Sequence, residues 1–469
     1  MSACGVHGTA HKAAPSGWRK ELRSQFIKLT EDDTPMVRRS AAQALGSLAE
    51  HSDSESTESD LIQPFLALAH DEQDSVRMLA VESLAGVISS LDREGRLSHA
   101  MPELRRMSED KSWRVRHKVA ECSGDIASAL GQAASKEHLA PCFVHLLRDK
   151  EPEVKIEAAR QVGTLVERLA QGNAASCGSS SSSSDSNNGN SSTNGANASA
   201  APLDKILPCL KDLAMDASQH VRSSLASVVM SLAPTLGKQA TIQHLLPIFL
   251  SLLKDESSEV RLSVTKDVPV VNTVIGPDLL KQSLLPAIVE LAEDRHWRVR
   301  LQVIKSVPEL AKTLGDAIDN RLGNLCLSWL SDHVHAIREE AVRNLTALTQ
   351  TYDSEWANSQ VIPHLKILAS DKHYLFRISS LQAVESLTTV LGQRVAEEQA
   401  IPSLVNACKD SIANVRFNAA KLIGRMNDRV SEDVLRQQAK PALNALLSDH
   451  DPDVRHFGRE ALTQLESAG

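Results

Sequence analysis

Residues Asp110–Arg116 read D-K-S-W-R-V-R, and Asp294–Arg300 read D-R-H-W-R-V-R. Each stretch sets an Asp, a polar turn, an apolar residue and a basic residue in fixed order. The same pattern returns in weaker forms from end to end. Its basic residue falls at Arg38, Arg77, Arg116, Lys155, Arg222, Arg261, Arg300, Arg338, Arg377, Arg416 and Arg455, at steps of 39 residues apart from one of 67 and one of 38. Six residues upstream of each stands an Asp: Asp32, Asp71, Asp110, Asp149, Asp216, Asp255, Asp294, Asp332, Asp371, Asp410 and Asp449.

The segments flanking each copy carry apolar residues at three- and four-residue spacing, the mark of amphipathic helices. Leu246-Pro247-Ile248-Phe249-Leu250 illustrates the first, with Pro expected in its opening turn, where a missing N–H costs nothing. Val119, Ala120, Ile126 and Leu130 illustrate the second. The Asp at the junction is expected to accept backbone N–H bonds and start the second helix. One helix–turn–helix unit of about 39 residues is the HEAT pattern. A lone pair cannot bury its apolar face, but eleven stacked pairs can, so the expected fold is an all-α HEAT-repeat solenoid.

Composition agrees. Aromatic residues make up only 3% of the chain against 42% hydrophobic, so the core must be aliphatic, as in helical stacks. A net charge of −8 offers no excess of cations for nucleic acid. The seven cysteines (Cys4, Cys122, Cys142, Cys177, Cys209, Cys326 and Cys408) are scattered, with no C-x-x-C, and read as buried reduced thiols. Met1–Arg19 has no apolar h-region, so no signal peptide is expected, and no run approaches a membrane span. A cytoplasmic protein is expected, with the nucleus also open to it.

The 67-residue step contains 28 extra residues, placed in a Ser/Asn/Gly tract that includes Ser179–Ser184. The expected organisation is a disordered terminus (1–16), repeats 1–4 (17–170), a flexible insertion (171–202) and repeats 5–11 (203–469). His51–Ser59 reads as a shorter polar loop.

Catalysis needs one constellation, not eleven. The Asp–Arg ladder is therefore assigned to structure, each Arg pairing with a neighbouring unit's Asp, and no catalytic residue is expected. The third residue after each Asp forms a column: Pro35, Asp74, Trp113, Pro152, Gln219, Ser258, Trp297, His335, Tyr374, Ala413 and Pro452. Large aromatics beside Arg on exposed turns are typical interface anchors. Trp297, His335 and Tyr374 should form one patch, and Trp113 with Arg114 another. His333-x-His335 lacks a third ligand, so no metal is expected, and no cofactor motif occurs. Without His-Glu pairs, a helical-repeat metal enzyme is disfavoured. Trp329 and Trp356 read as core.

At Asp33–Arg39 (D-T-P-M-V-R-R), Asp71–Arg77, Asp110–Arg116, Gln282–Asp294 (Q-S-L-L-P-A-I-V-E-L-A-E-D), Trp297–Leu301, Asp332–Glu339 and Ala413–Asn418 (A-N-V-R-F-N), the chain resembles the scaffold (A) subunits of protein phosphatase 2A. The resemblance runs from about Gln25 to Leu465 and matches the last eleven of that family's fifteen repeats. It implies a non-catalytic scaffold that holds a Ser/Thr phosphatase catalytic subunit on its last repeats and a regulatory B subunit on the earlier ones. By position it implies catalytic-subunit contacts at Trp297, Arg298, His335, Tyr374, Val415 and His456. It implies regulatory-subunit contacts at Pro35, Arg38, Arg39, Ser75, Trp113 and Arg114. His335 and His456 stand where the family has Tyr. A transport or cargo adaptor built on HEAT repeats is the rival reading, and the aromatic turn column speaks against it.

Overall fold

The computed structural model describes residues 2–170, 203–314, 320–352 and 354–466; the Ser/Asn insertion lies outside them. All regular structure among the described residues is helical, as the repeat predicts. The chain divides into two compact units, Met1–Val270 and Val271–Gly469.

In the first unit the second helices of successive repeats stack in one layer. Pro35–Glu50 lies against Asp74–Ser90, followed by Trp113–Glu121 with Ser123–Leu130, then Pro152–Ala170, Gln219–Ala226 and Ser258–Thr265. The first helices, Ser16–Thr30, Ile62–Ala69, Met101–Ser108, Ala140–Leu147, Leu203–Ala214 and Leu246–Leu253, form the other layer. Between the layers lie aliphatic side chains with Phe26, Phe65, Phe143 and Phe249, all fully buried. Helices approach closely between repeats 1 and 2. There Ser83 Oγ accepts the Gly46 N–H at 2.9 Å, and a Cβ added to Gly86 would stand 2.4 Å from the Gly46 carbonyl oxygen.

The second unit repeats the plan. Trp297–Leu314, His335–Thr351, Tyr374–Leu391, Ala413–Gly424 and Pro452–Glu466 stack in order. Trp329 is core, as expected, and its indole N–H donates to the Ala292 carbonyl at 3.2 Å. Trp356 is half-buried against Tyr352, ring centroids 5.4 Å apart.

Three local details differ from expectation. The proline falls in the opening turn of the first helix, as expected, but a π turn leads into that helix. The turn Arg96–Ala100 precedes Pro102, Ser135–Leu139 precedes Pro141, and Ala396–Ala400 precedes Pro402. A π turn opens the hydrogen-bond ladder next to a residue with no N–H to give. Secondly, residues expected to be disordered include a helix, Ser2–Ala13. It packs on Pro35–Glu50 through small residues, with Gly8 against Ser47 and buried His11 within 3.1 Å of the Arg23 guanidinium. Small side chains hide its face from a reading that looks for large apolar ones. Thirdly, the polar stretch after Glu50 is mostly helical. Asp53 accepts the Ser56 N–H at 2.8 Å and caps a turn that continues into Ile62–Ala69.

A candidate interaction ridge on the repeat turns

Each junction Asp builds its turn in one way. Its Oδ1 accepts the N–H two residues on, at 2.7–2.9 Å, in all eleven copies, from Asp32 with Thr34 to Asp449 with Asp451. This is an Asx turn. The Asp therefore lies two residues ahead of the helix boundary rather than at it. Every residue of the column is the first residue of a second helix, from Pro35 to Pro452.

The basic residue closes the turn from inside. Arg116 Nη1 donates to its own repeat's Asp110 carbonyl at 2.7 Å. Its Nε and Nη2 reach both oxygens of the next repeat's Asp149, at 2.6 and 2.9 Å. This fork-on-fork geometry recurs at Arg38–Asp71, Arg77–Asp110, Arg222–Asp255, Arg300–Asp332, Arg377–Asp410 and Arg416–Asp449. Lys155 pairs with Asp216, carrying the ladder past the insertion with a single point charge. Burial alone would raise the pKa of Asp110, Asp149 and Asp410; the Arg forks, turn N–H groups and guanidinium charges outweigh it and hold all three below the usual carboxylate value. At Asp449 the Arg416 fork is itself the largest influence, and its pKa is likewise lowered.

One rung departs. Arg338 keeps the inward half of the pattern, Nη1 to the carbonyls of Asp332 (2.8 Å) and His333 (3.2 Å). Its outward half has no carboxylate: Asp371, at the usual spacing of 33 residues, binds its own turn N–H and no cation.

On the ridge, Arg114 lies over the Trp113 ring at 5.2 Å, and Arg298 over Trp297 at 4.7 Å. Both rings are half-buried and both guanidinium groups exposed, so each pair offers a flat amphipathic plate. Trp113 also meets His117 edge-on, and Arg114 reaches Asp74 of the preceding repeat at 3.5 Å. His335 and His456 are exposed, Tyr374 half-buried; Pro35 and Arg39 are exposed and Ser75 partly so. Val415 does not belong to this surface: it is 1% exposed and fills its own repeat's core, as the apolar residue of most copies does; Val37 and Phe376 are half-buried. Arg38 is likewise engaged, clamped on Asp71 as a ladder rung.

Sequence reasoning overlooked a cluster one helical turn below the column. Phe417 and Phe457 stand 5.5 Å apart, the Lys421 ammonium lies 3.6 Å above Phe457, and His456 meets Phe457 edge-on. Their near-repeat spacing of 40 residues was the available signal. Met36 and Ile412 add exposed apolar surface beside Pro35 and Ala413. Among the described residues no group of three or more His, Cys, Asp or Glu is placed to hold a metal, and no helix is long and apolar enough to cross a membrane.

Three family descriptions match parts of the chain: "PIK3R4-like, middle domain" at residues 133–315, "Sister chromatid cohesion protein PDS5 protein" at 24–189, and "HEAT repeats" at 382–463. Curated relatives match over short stretches. The protein phosphatase 2A scaffold subunit of Dictyostelium discoideum is 43% identical over 61 residues, 13% of this chain and 10% of that protein. The beta isoform of the 65 kDa regulatory (A) subunit of serine/threonine-protein phosphatase 2A from Rattus norvegicus is 52% identical over 42 residues, 9% and 7% of the two chains. Similar solved structures include Kap121p bound to Ste12p (TM-score 0.68, 15% identity, covering 100% of this chain and 49% of that one) and Kap121p bound to RanGTP (0.67, 14%, 100% and 49%). The chain thus spans about half of these structures and matches a tenth or less of the curated relatives' length. The structural likeness carries the solenoid fold.

Proposed function

We propose that this solenoid is a non-catalytic scaffold of a protein phosphatase 2A-type Ser/Thr phosphatase. The observation that carries the reading is the pairing of local identity with exposure. The chain shares 43–52% identity with phosphatase 2A scaffold subunits over short segments, and its Trp-Arg plates stand on the repeat turns. In this reading the ridge of repeats 7–11 (Trp297, Arg298, His335, Tyr374 and His456) takes the catalytic subunit. The ridge of the first repeats (Pro35, Arg39, Ser75, Trp113 and Arg114) takes a regulatory B-type subunit. Tethering both on one body raises their effective concentration for each other, so substrate choice is separated from bond chemistry. The cytoplasm is the proposed compartment, since a reducing milieu keeps buried thiols free.

Affinity purification of the tagged chain with mass spectrometry tests the proposal. Recovery of a phosphatase catalytic subunit together with a B-type subunit is the expected result. Recovery of transport cargo without phosphatase would favour the adaptor reading instead.

A further inference from the structure

The broken rung at Arg338 opens onto a cavity. A pocket of about 180 Å³ lies over the second helices of repeats 8, 9 and 10, and Arg338 lines it with His335, Glu339, Gln382, Asn414 and Asn418. Arg338 is 5% exposed, so its charge sits in the wall with little water to solvate it. In every described arginine fork Nε and Nη2 grip a carboxylate; in Arg338 these are the two nitrogens without one. Burial, the largest influence, pushes its pKa down and the Asp332 charge offsets only part, whereas Arg377's neighbour Arg416 is held up by its Asp449 fork. The one anionic side chain of the lining is spent: Glu339 pairs with Arg343 at 2.5 Å. Gln382 and Asn414 add amide N–H donors, which suit a carboxylate, and exposed His335 lies at the edge of the ridge column.

We propose that this pocket receives an Asp or Glu side chain of the protein docked on the ridge of repeats 7–11, completing in trans the fork that Asp371 leaves open. The partner's carboxylate takes Nε and Nη2 of Arg338 and the amides of Gln382 and Asn414. His335 both lines the pocket and stands in the ridge column, which makes the occupant part of the ridge partner, so the inference rests on the ridge reading. A bound carboxylate in a walled site fixes the register of a long interface more sharply than exposed rim charges do.

The test uses the full chain, with purified catalytic subunit of phosphatase 2A as the probe. Arg338→Met, Arg377→Met and Trp297→Ala are compared by biolayer interferometry and thermal melting. Arg338→Met is expected to weaken binding at least tenfold while lowering the melting temperature clearly less than Arg377→Met does, because it gives up the bonds to the Asp332 and His333 carbonyls but strands no carboxylate. Arg377→Met, which leaves Asp410 unpaired, is expected to lower the melting temperature more. If Trp297→Ala weakens binding and Arg338→Met does not, the pocket proposal is overturned and the ridge reading stands. If neither weakens it, both fail. If Arg338→Met melts as low as Arg377→Met, Arg338 already has an internal partner and the proposal is wrong.

Discussion

Asp149→Ala is the sharpest test of what the ladder does. Asp149 and Arg116 are 2% and 7% exposed at their side chains and share a two-bond fork. Removing the carboxylate strands the guanidinium in the wall with only the Asp110 and Lys111 carbonyls for company. Breaking a buried pair from one side costs about 3–5 kcal/mol, because a desolvated charge is left uncompensated. In a repeat array that cost is felt locally, at the interface of two neighbours, more than across the whole chain. At about 1.4 kcal/mol per decade, amide exchange in Trp113–Leu130 and Pro152–Ala170 should accelerate by roughly two to three and a half orders of magnitude. Exchange in Pro452–Glu466 should be untouched. The assay is native-state hydrogen exchange with peptide-level mass spectrometry. A variant whose exchange in repeats 3 and 4 changes less than threefold would refute the claim that the fork holds the repeats together. Restoring apolar complementarity, with Arg116→Met added to Asp149→Ala, should recover much of the loss, since a buried pair is often no better than a well-packed hydrophobic replacement.

The ladder also sets an acid limit. Asp110, Asp149, Asp410 and Asp449 have folded pKa values lowered below the unfolded value of about 3.9. Their contribution is therefore full above about pH 4 and is lost as pH falls through the folded values, so denaturant midpoints should be flat from pH 7 to 5 and drop steeply below pH 4. Gly86→Val should destabilise repeats 1 and 2 strongly, because its Cβ would strike the Gly46 backbone, and a lowered melting temperature would register it. Cys326 and Cys408, whose thiol pKa values burial pushes up to about 12, should resist iodoacetamide at pH 8 until guanidinium unfolds the chain; rapid labelling in native buffer would contradict this. Trp297→Ala should cost about 2 kcal/mol of affinity for the catalytic subunit, roughly thirtyfold, in a quantitative pull-down with helicity unchanged by circular dichroism.

Most of the fold was legible in the sequence because a solenoid is specified locally. The 39-residue period, the Asp and the apolar-basic pair each act within one repeat or between two neighbours, so reading one copy reads them all. What escaped had other causes. The π turns depend on hydrogen-bond register, which apolar spacing does not encode. The helix Ser2–Ala13 buries Gly8 and His11 rather than leucine, and so carries no strong periodic signal. On the ridge, Trp113 and Trp297 were visible as aromatics out of place. Val415 was misread because the resemblance names a position, whereas exposure depends on which way that position faces. Phe417 and Phe457 were missed because the column follows the first residue of each helix and they lie four or five residues further along.

The break at Arg338 marks where such reading must stop. Arg338 and Asp371 stand 33 residues apart, the same interval as Arg77–Asp110 and Arg377–Asp410, so sequence predicts a normal rung. Whether a fork closes depends on how two repeats pack against each other, and residue spacing does not encode that. Neither residue is idle: Asp371 still shapes its turn through the His373 N–H, and Arg338 still holds the Asp332 carbonyl. Selection on the turn alone would therefore keep both side chains, whether or not they ever meet. That separates two roles which coincide at other rungs, closing a repeat's own turn and joining it to the next. Only the second is vacant here: the second helices of the two repeats are still linked by the Thr346–Ser386 hydroxyl pair at 2.8 Å, but the outward half of the Arg338 guanidinium is spare. A ridge partner bearing a carboxylate at the right height would convert that spare charge into specificity, while a neutral isostere of the same partner would have to bury the guanidinium unpaired and be rejected.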